Sequence, residues 1–167
     1  MPSGDKPITP AHFSYWFRSL SNITVIDLTG LDTQWVLDFR ETFYYCIKLT
    51  KIIGLENLNT ARVTNMRSLF YNCQVLESLD LSSFNTANVT DMRFMFYQCQ
   101  VLEALDVSNF NTSKITSMES MFNDVRAIEV LDLSNFDTTN VTSLYQTFYN
   151  CLNLKSLKLT NFNTSNV

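Results

Sequence analysis

The sequence predicts an α/β solenoid, a right-handed stack of about six coils, and three observations carry that prediction. The chain repeats at a step of 26 residues, each copy joins a strand-like period to a helix-like one, and Leu55–Val167 contains neither glycine nor proline. The repeat is plainest in FNTANVTDMRFMFYQCQVLEALDVSN from Phe84, FNTSKITSMESMFNDVRAIEVLDLSN from Phe110 and FDTTNVTSLYQTFYNCLNLKSLKLTN from Phe136. Copies start near 31, 58, 84, 110, 136 and 162, and residues 17–30 form a half copy. One such unit cannot bury its own apolar face, so the copies must stack. Residues 17–167 are read as the solenoid. Residues 1–16 are read as a polar lead ending in an aromatic cap of Phe13, Tyr15 and Trp16.

Each element follows from spacing. Val89, Met92, Met95 and Phe96 recur at i, i+3, i+6/7, which suits a short helix or a pair of 3₁₀ turns. Thr64, Thr90, Thr116 and Thr142 stand just ahead of this segment in their copies, where a hydroxyl can cap free N–H groups. Leu76, Leu79, Leu81 and Phe84 enclose a Leu-x-Leu alternation, the mark of a strand. Phe-Asn/Asp-Thr between the halves is the expected turn, with Asn and Thr replacing glycine through their short hydrogen-bonding side chains. One strand and one short helix per copy is the leucine-rich-repeat pattern. It predicts a parallel sheet on the concave side with helices or 3₁₀ turns opposite, wound right-handed as such crossovers are.

Composition removes several functions. The chain has 167 residues, 46% hydrophobic and 17% charged, enough to bury a core. A net charge of −4 with 12 Lys+Arg leaves no basic footprint, so nucleic-acid binding is not expected. No apolar run approaches the ~18 residues of a membrane span. Without glycine beyond Gly54, no phosphate-cradling Gly-rich loop exists there.

The runs MFYQCQVLEALDVSNFNTSKITSM and FYNCQVLESLDLSSFNTANVTDM resemble the BspA-like leucine-rich-repeat surface proteins of bacteria. The likeness covers about residues 17–167. Its departures are Leu20 at the Cys position, Asp124-Val125 for the usual polar-Cys pair, and Ile53 and Lys158 for Asp. The resemblance implies export and extracellular display on a bacterial cell surface, with the anchor outside these residues. It also implies binding or adhesion to a host or neighbouring-cell protein or glycan. It implies no catalytic residues and no cofactor.

Candidate residues fall in ladders. Cys46, Cys73, Cys99 and Cys151 share one register position, which Leu20 and Val125 also occupy, so the site reads as apolar and the thiols as free and buried. Stacked neighbours ~4.8 Å apart suit a disulfide poorly. With His12 the only histidine and no C-x-x-C, no metal site is expected. Asp27, Asp80, Asp106 and Asp132 form the foremost binding candidate, a column in which stacked carboxylates repel and raise one another's proton affinity unless compensated. Neighbouring Ser/Thr hydroxyls with water are one compensation; a bound cation or basic partner is the other. Tyr71, Tyr97 and Tyr149, with Tyr44, make a second ladder, either a binding surface or a cover over the groove between coils. The Asn-x-Thr/Ser matches are repeat chemistry and no evidence of glycosylation.

Three functions follow. The first is a surface binding or adhesion module; the others are a structural spacer and a carbohydrate-active enzyme using the column of Asp residues. The expectation is a non-enzyme. The copy that opens at Phe162 leaves an open strand edge near Leu157 and Leu159. Weak end-to-end self-association, tempered by Lys155 and Lys158, or a longer native chain is expected from it.

Overall fold

A computed structural model describes residues 12–167; the expected polar lead of residues 1–11 lies outside the described residues. The copies do stack in register, one tier upon the next, but the elements are not those expected. There is no α-helix among the described residues. The strands are β1 (Val25–Asp27), β2 (Lys51–Ile53), β3 (Val130–Asp132) and β4 (Ser156–Lys158), three residues each, and Leu55–Asn57 is a 3₁₀ helix. β1 pairs only with β2 and β3 only with β4, both parallel. Between them the ladder thins to isolated bridges such as Ser78 with Ala104. These findings overturn the right-handed leucine-rich-repeat solenoid with a continuous concave sheet and opposing short helices.

The helix-like segment is a run of tandem turns. Glu41 and Tyr45, Ser68 and Asn72, Phe94 and Gln98, and Ser120 and Asp124 all have positive φ, 51° to 64°, at a spacing of four. A left-handed residue every fourth position stops an α-helix from propagating. The amides then alternate in use. Thr42, Tyr44 and Cys46 donate three residues back within the tier, while Phe39, Glu41, Phe43 and Tyr45 donate to the carbonyls of Asn65, Arg67, Leu69 and Tyr71 in the next tier. A helix would spend every amide on itself; the turns spend half of them on the neighbouring tier.

Within the tandem turns the inter-tier bonds share one sense. Tyr15 donates to Arg40, Glu41 to Arg67, Ser68 to Arg93, Phe94 to Glu119 and Ser120 to Tyr145. Acceptor and next donor belong to the same peptide unit, as with the Arg67 carbonyl and the Ser68 amide. Such aligned units sum their dipoles along the stack as a helix does along its axis. The amides of Leu144, Gln146, Phe148 and Asn150 make no hydrogen bond among the described residues.

Packing supplies the second tie between tiers. Phe17, Phe43, Phe70, Phe96, Phe122 and Phe148 stack ring on ring, with centroids 5.5 to 5.9 Å apart and planes within 11°. Phe43, Phe70, Phe96 and Phe122 are wholly buried. Phe13, against Trp16, Phe17 and Phe39, is buried too, although Trp16 keeps 46% of its surface exposed. A buried threonine column supplies the third tie. Thr33, Thr60, Thr86, Thr112 and Thr138 each donate a hydroxyl to a carbonyl of the next tier and accept an amide from the same residue. In the Phe-Asn/Asp-Thr turn the Asn or Asp side chain accepts the amide two residues on, as Asn85 does from Ala87. The threonines expected to cap helices bond backwards instead: the Thr90 hydroxyl donates to the Thr64 carbonyl, and Thr142 to Thr116.

Candidate functional site

The four cysteines are free thiols; Cys46, Cys73 and Cys99 are buried and Cys151 is half-buried. Each donates its thiol to the carbonyl of the repeat phenylalanine one tier back: Cys46 to Phe17, Cys73 to Phe43, Cys99 to Phe70 and Cys151 to Phe122, at 3.1 to 3.2 Å. Burial pushes Cys99 up to about 12 and Cys46 and Cys151 to about 11. Thiols held protonated in this way are weak nucleophiles at neutral pH. No group of three His, Cys, Asp or Glu side chains able to hold a metal occurs among the described residues.

The aspartate column is present but internally satisfied. Asp27, Asp80, Asp106 and Asp132 are exposed. Each accepts the amide two residues on, from Thr29, Ser82, Ser108 and Ser134, at 2.8 to 3.0 Å. The Ser82 and Ser134 hydroxyls donate to the same carboxylates. Hydrogen bonds from Thr29, Ser82 and Ser108 hold Asp27, Asp80 and Asp106 below the ordinary carboxylate range. Lys158, at 2.7 Å, brings Asp132 down to about 2 together with Ser134. Of the two compensations for stacked carboxylates, the structure shows hydrogen bonds from the hydroxyl-bearing neighbour within each turn, joined at Asp132 by Lys158. Lys155 likewise reaches back to Glu129 at 2.7 Å. Both edge lysines therefore lean toward the preceding tier.

The tyrosine ladder is shorter than its spacing suggested. Tyr44, Tyr71 and Tyr97 stack at 4.6 and 4.5 Å with planes within 19°. Burial, then the neighbouring phenols of Tyr97 and Tyr44, raise Tyr71 to about 12. Tyr149 does not join the stack. Asn123 fills the intervening register position, and Tyr149 is left 55% exposed.

Arginines line this same flank, and spacing read ring by ring missed them. Arg18 lies over Tyr44 and Tyr15 and pairs with Glu41 at 2.8 Å; Arg40 lies over Tyr15; Arg67 lies over Phe94 at 5.4 Å. Arg18, Glu41, Tyr44, Arg67, Ser68, Tyr71 and Phe94 enclose a groove of about 270 Å³. Arginine and tyrosine in alternation are the side chains most enriched at binding hot spots. The available signal was the triplet Asp38-Phe-Arg40, Asn65-Met-Arg67 and Asp91-Met-Arg93, hidden between the apolar positions that define the repeat.

Stacked tiers tied by peptide, threonine and phenylalanine columns define a repeat protein whose surfaces are ladders, one acidic and one of tyrosine and arginine. The chain belongs to the family described as "Mycoplasma protein of unknown function, DUF285", whose model matches residues 11–129 and again 73–167. The comparisons with curated proteins and with solved structures each find no match.

Proposed function

We propose that the chain is a binding module displayed outside a bacterial cell, engaging a host or neighbouring-cell protein or glycan through the tyrosine–arginine flank. One observation carries the reading: Tyr44, Tyr71 and Tyr97 form a continuous aromatic stack across three tiers with arginines laid beside it. Tyrosine offers contact area and a hydroxyl at low entropic cost, and the stack holds it rigid before any partner arrives. Membership of a repeat family and the likeness to BspA-like surface proteins support display and adhesion. The aspartate column gives the enzyme alternative little support, since each carboxylate there repeats one local turn and every shift in the column is downward, whereas an acid and a base need values pushed apart.

The test is binding of the labelled chain to an array of glycans and matrix proteins, with Tyr71→Ser/Tyr97→Ser beside it. Captured ligands should lose the variant by tenfold or more at unchanged folding. Equal capture by both, or no capture at all, would favour the spacer reading.

A further inference from the structure

We infer that the groove around Arg67 is a binding site for the oxyanion of an acidic sugar, a carboxylate or sulfate borne on a polyol; the inference rests on the tyrosine–arginine flank being the binding face. The repeat builds an Asp-x-Arg pair into this flank twice. Asp38 meets Arg40 at 3.3 Å, and Asp91 grips Arg93 through two bonds of 3.0 and 2.7 Å. The tier between them carries Asn65 instead, and the Asn65 Oδ1 is occupied by the Arg67 backbone amide. The Arg67 guanidinium makes no hydrogen bond or ion pair among the described residues. Asp91 feels its charge, but the Asp91 carboxylate is already committed to Arg93.

That guanidinium sits where a ligand can use it. It lies over Phe94 at 5.4 Å, the lining of the groove is mainly polar, and Tyr44, Tyr71 and Ser68 line the groove with it. Glu41 also lines the groove, but Arg18 neutralises it at 2.8 Å, so Arg67 leaves the groove with one net positive charge. A planar guanidinium recognises an oxyanion through two parallel N–H donors. The hydroxyl-bearing side chains Tyr44, Ser68 and Tyr71 in its lining suit a polyol. A volume of about 270 Å³ falls just below the usual small-ligand range of ~300–1,000 Å³, the size of one terminal sugar unit. An apolar peptide side chain would find the wrong lining.

The test titrates sialyllactose, sulfated lactose, plain lactose and a phosphoserine peptide into the parent chain, Arg67→Gln and Asn65→Asp by calorimetry. Asn65→Asp copies the neighbouring tiers, so the fold is kept while Arg67 gains the partner it lacks. One or both acidic sugars should bind the parent at least tenfold more tightly than plain lactose, and either substitution should remove that advantage. Tight binding of the carboxylated or of the sulfated sugar alone identifies the oxyanion. Equal binding of charged and plain sugars, an advantage that survives Asn65→Asp, or preference for the phosphopeptide would overturn the inference. Should no acidic sugar bind while Tyr71→Ser/Tyr97→Ser still weakens capture on the array, the acidic-sugar site fails and the binding face stands.

Discussion

The aspartate column and the tyrosine–arginine flank are built by the same repeat, yet they differ in what they leave free. Asp80, Asp106 and Asp132 recur without interruption, and each is answered inside its own turn by the amide of Ser82, Ser108 or Ser134. On the other flank the repeat falters: Asn65 replaces Asp beside Arg67, and Asn123 replaces Tyr between Tyr97 and Tyr149. Strict repetition yields chemistry that closes on itself, because every copy must satisfy its own polar groups to stack. Function is to be sought where one copy departs from the rule and leaves a charge or a ring uncommitted.

Both flanks hang from one core, so the largest effect should come from breaking it. Phe96→Ala removes a wholly buried ring between Phe70 and Phe122 and should cost ~3–5 kcal/mol in equilibrium unfolding. Phe148→Ala, at a half-buried ring with one stacked neighbour, should cost about 1–2 kcal/mol. Equal losses at the two positions would mean that the stack does not share its stability between tiers.

The threonine column tests whether polar ties matter as much as rings. Thr86→Val keeps the shape but strips the Asn111 amide and carbonyl of their partner, for an expected loss of ~1–3 kcal/mol. A neutral substitution would show that water replaces the hydroxyl and that the column is incidental.

Hydrogen exchange sharpens the contrast between inner and outer tiers. The amides of Phe94, Phe96 and Gln98 are held by the next tier, whereas those of Gln146, Phe148 and Asn150 are not. The amides of Gln146, Phe148 and Asn150 should therefore exchange faster than those of Phe94, Phe96 and Gln98. Uniform protection in a sample that sediments as a monomer would refute the one-way bonding of the tandem turns.

The smallest effect concerns protons. Asp132 is held at about 2 by Lys158 and Ser134, below an ordinary value near 3.8. A depressed folded-state pKa stabilises above the ordinary value, and that stabilisation fades as pH falls from about 4 toward about 2. By NMR titration Asp132 should take up its proton at lower pH than Asp80 or Asp106, and Lys158→Ala should bring it into line with them. An unchanged Asp132 in that variant would show the ion pair to be without consequence.

Much of this was legible in the sequence, and the misses have a common cause. The step of 26, the inward ring of Phe96 and the ladder of free thiols follow from which positions stay apolar. The helix did not follow, because a spacing of i, i+3 is shared by helices and by tandem turns with i to i−3 bonds. What separates them is positive φ at Ser68, Asn72, Phe94 and Gln98, and only Asn among these advertises that conformation. The aspartates were visible while their satisfaction was not, since an amide two residues away leaves no mark on residue spacing. Arg67 was overlooked because its meaning lies in a missing carboxylate.

The central claim is that the tyrosine–arginine flank, and not the aspartate column, meets the partner. Its most direct test compares Asp80→Asn/Asp106→Asn/Asp132→Asn with Tyr71→Ser/Tyr97→Ser in affinity for the same captured ligand, with folding matched by circular dichroism. The account predicts affinity within about twofold of the parent for the asparagine variant and a loss of tenfold or more for the serine variant. The reverse order would contradict it and make the aspartate column the binding face.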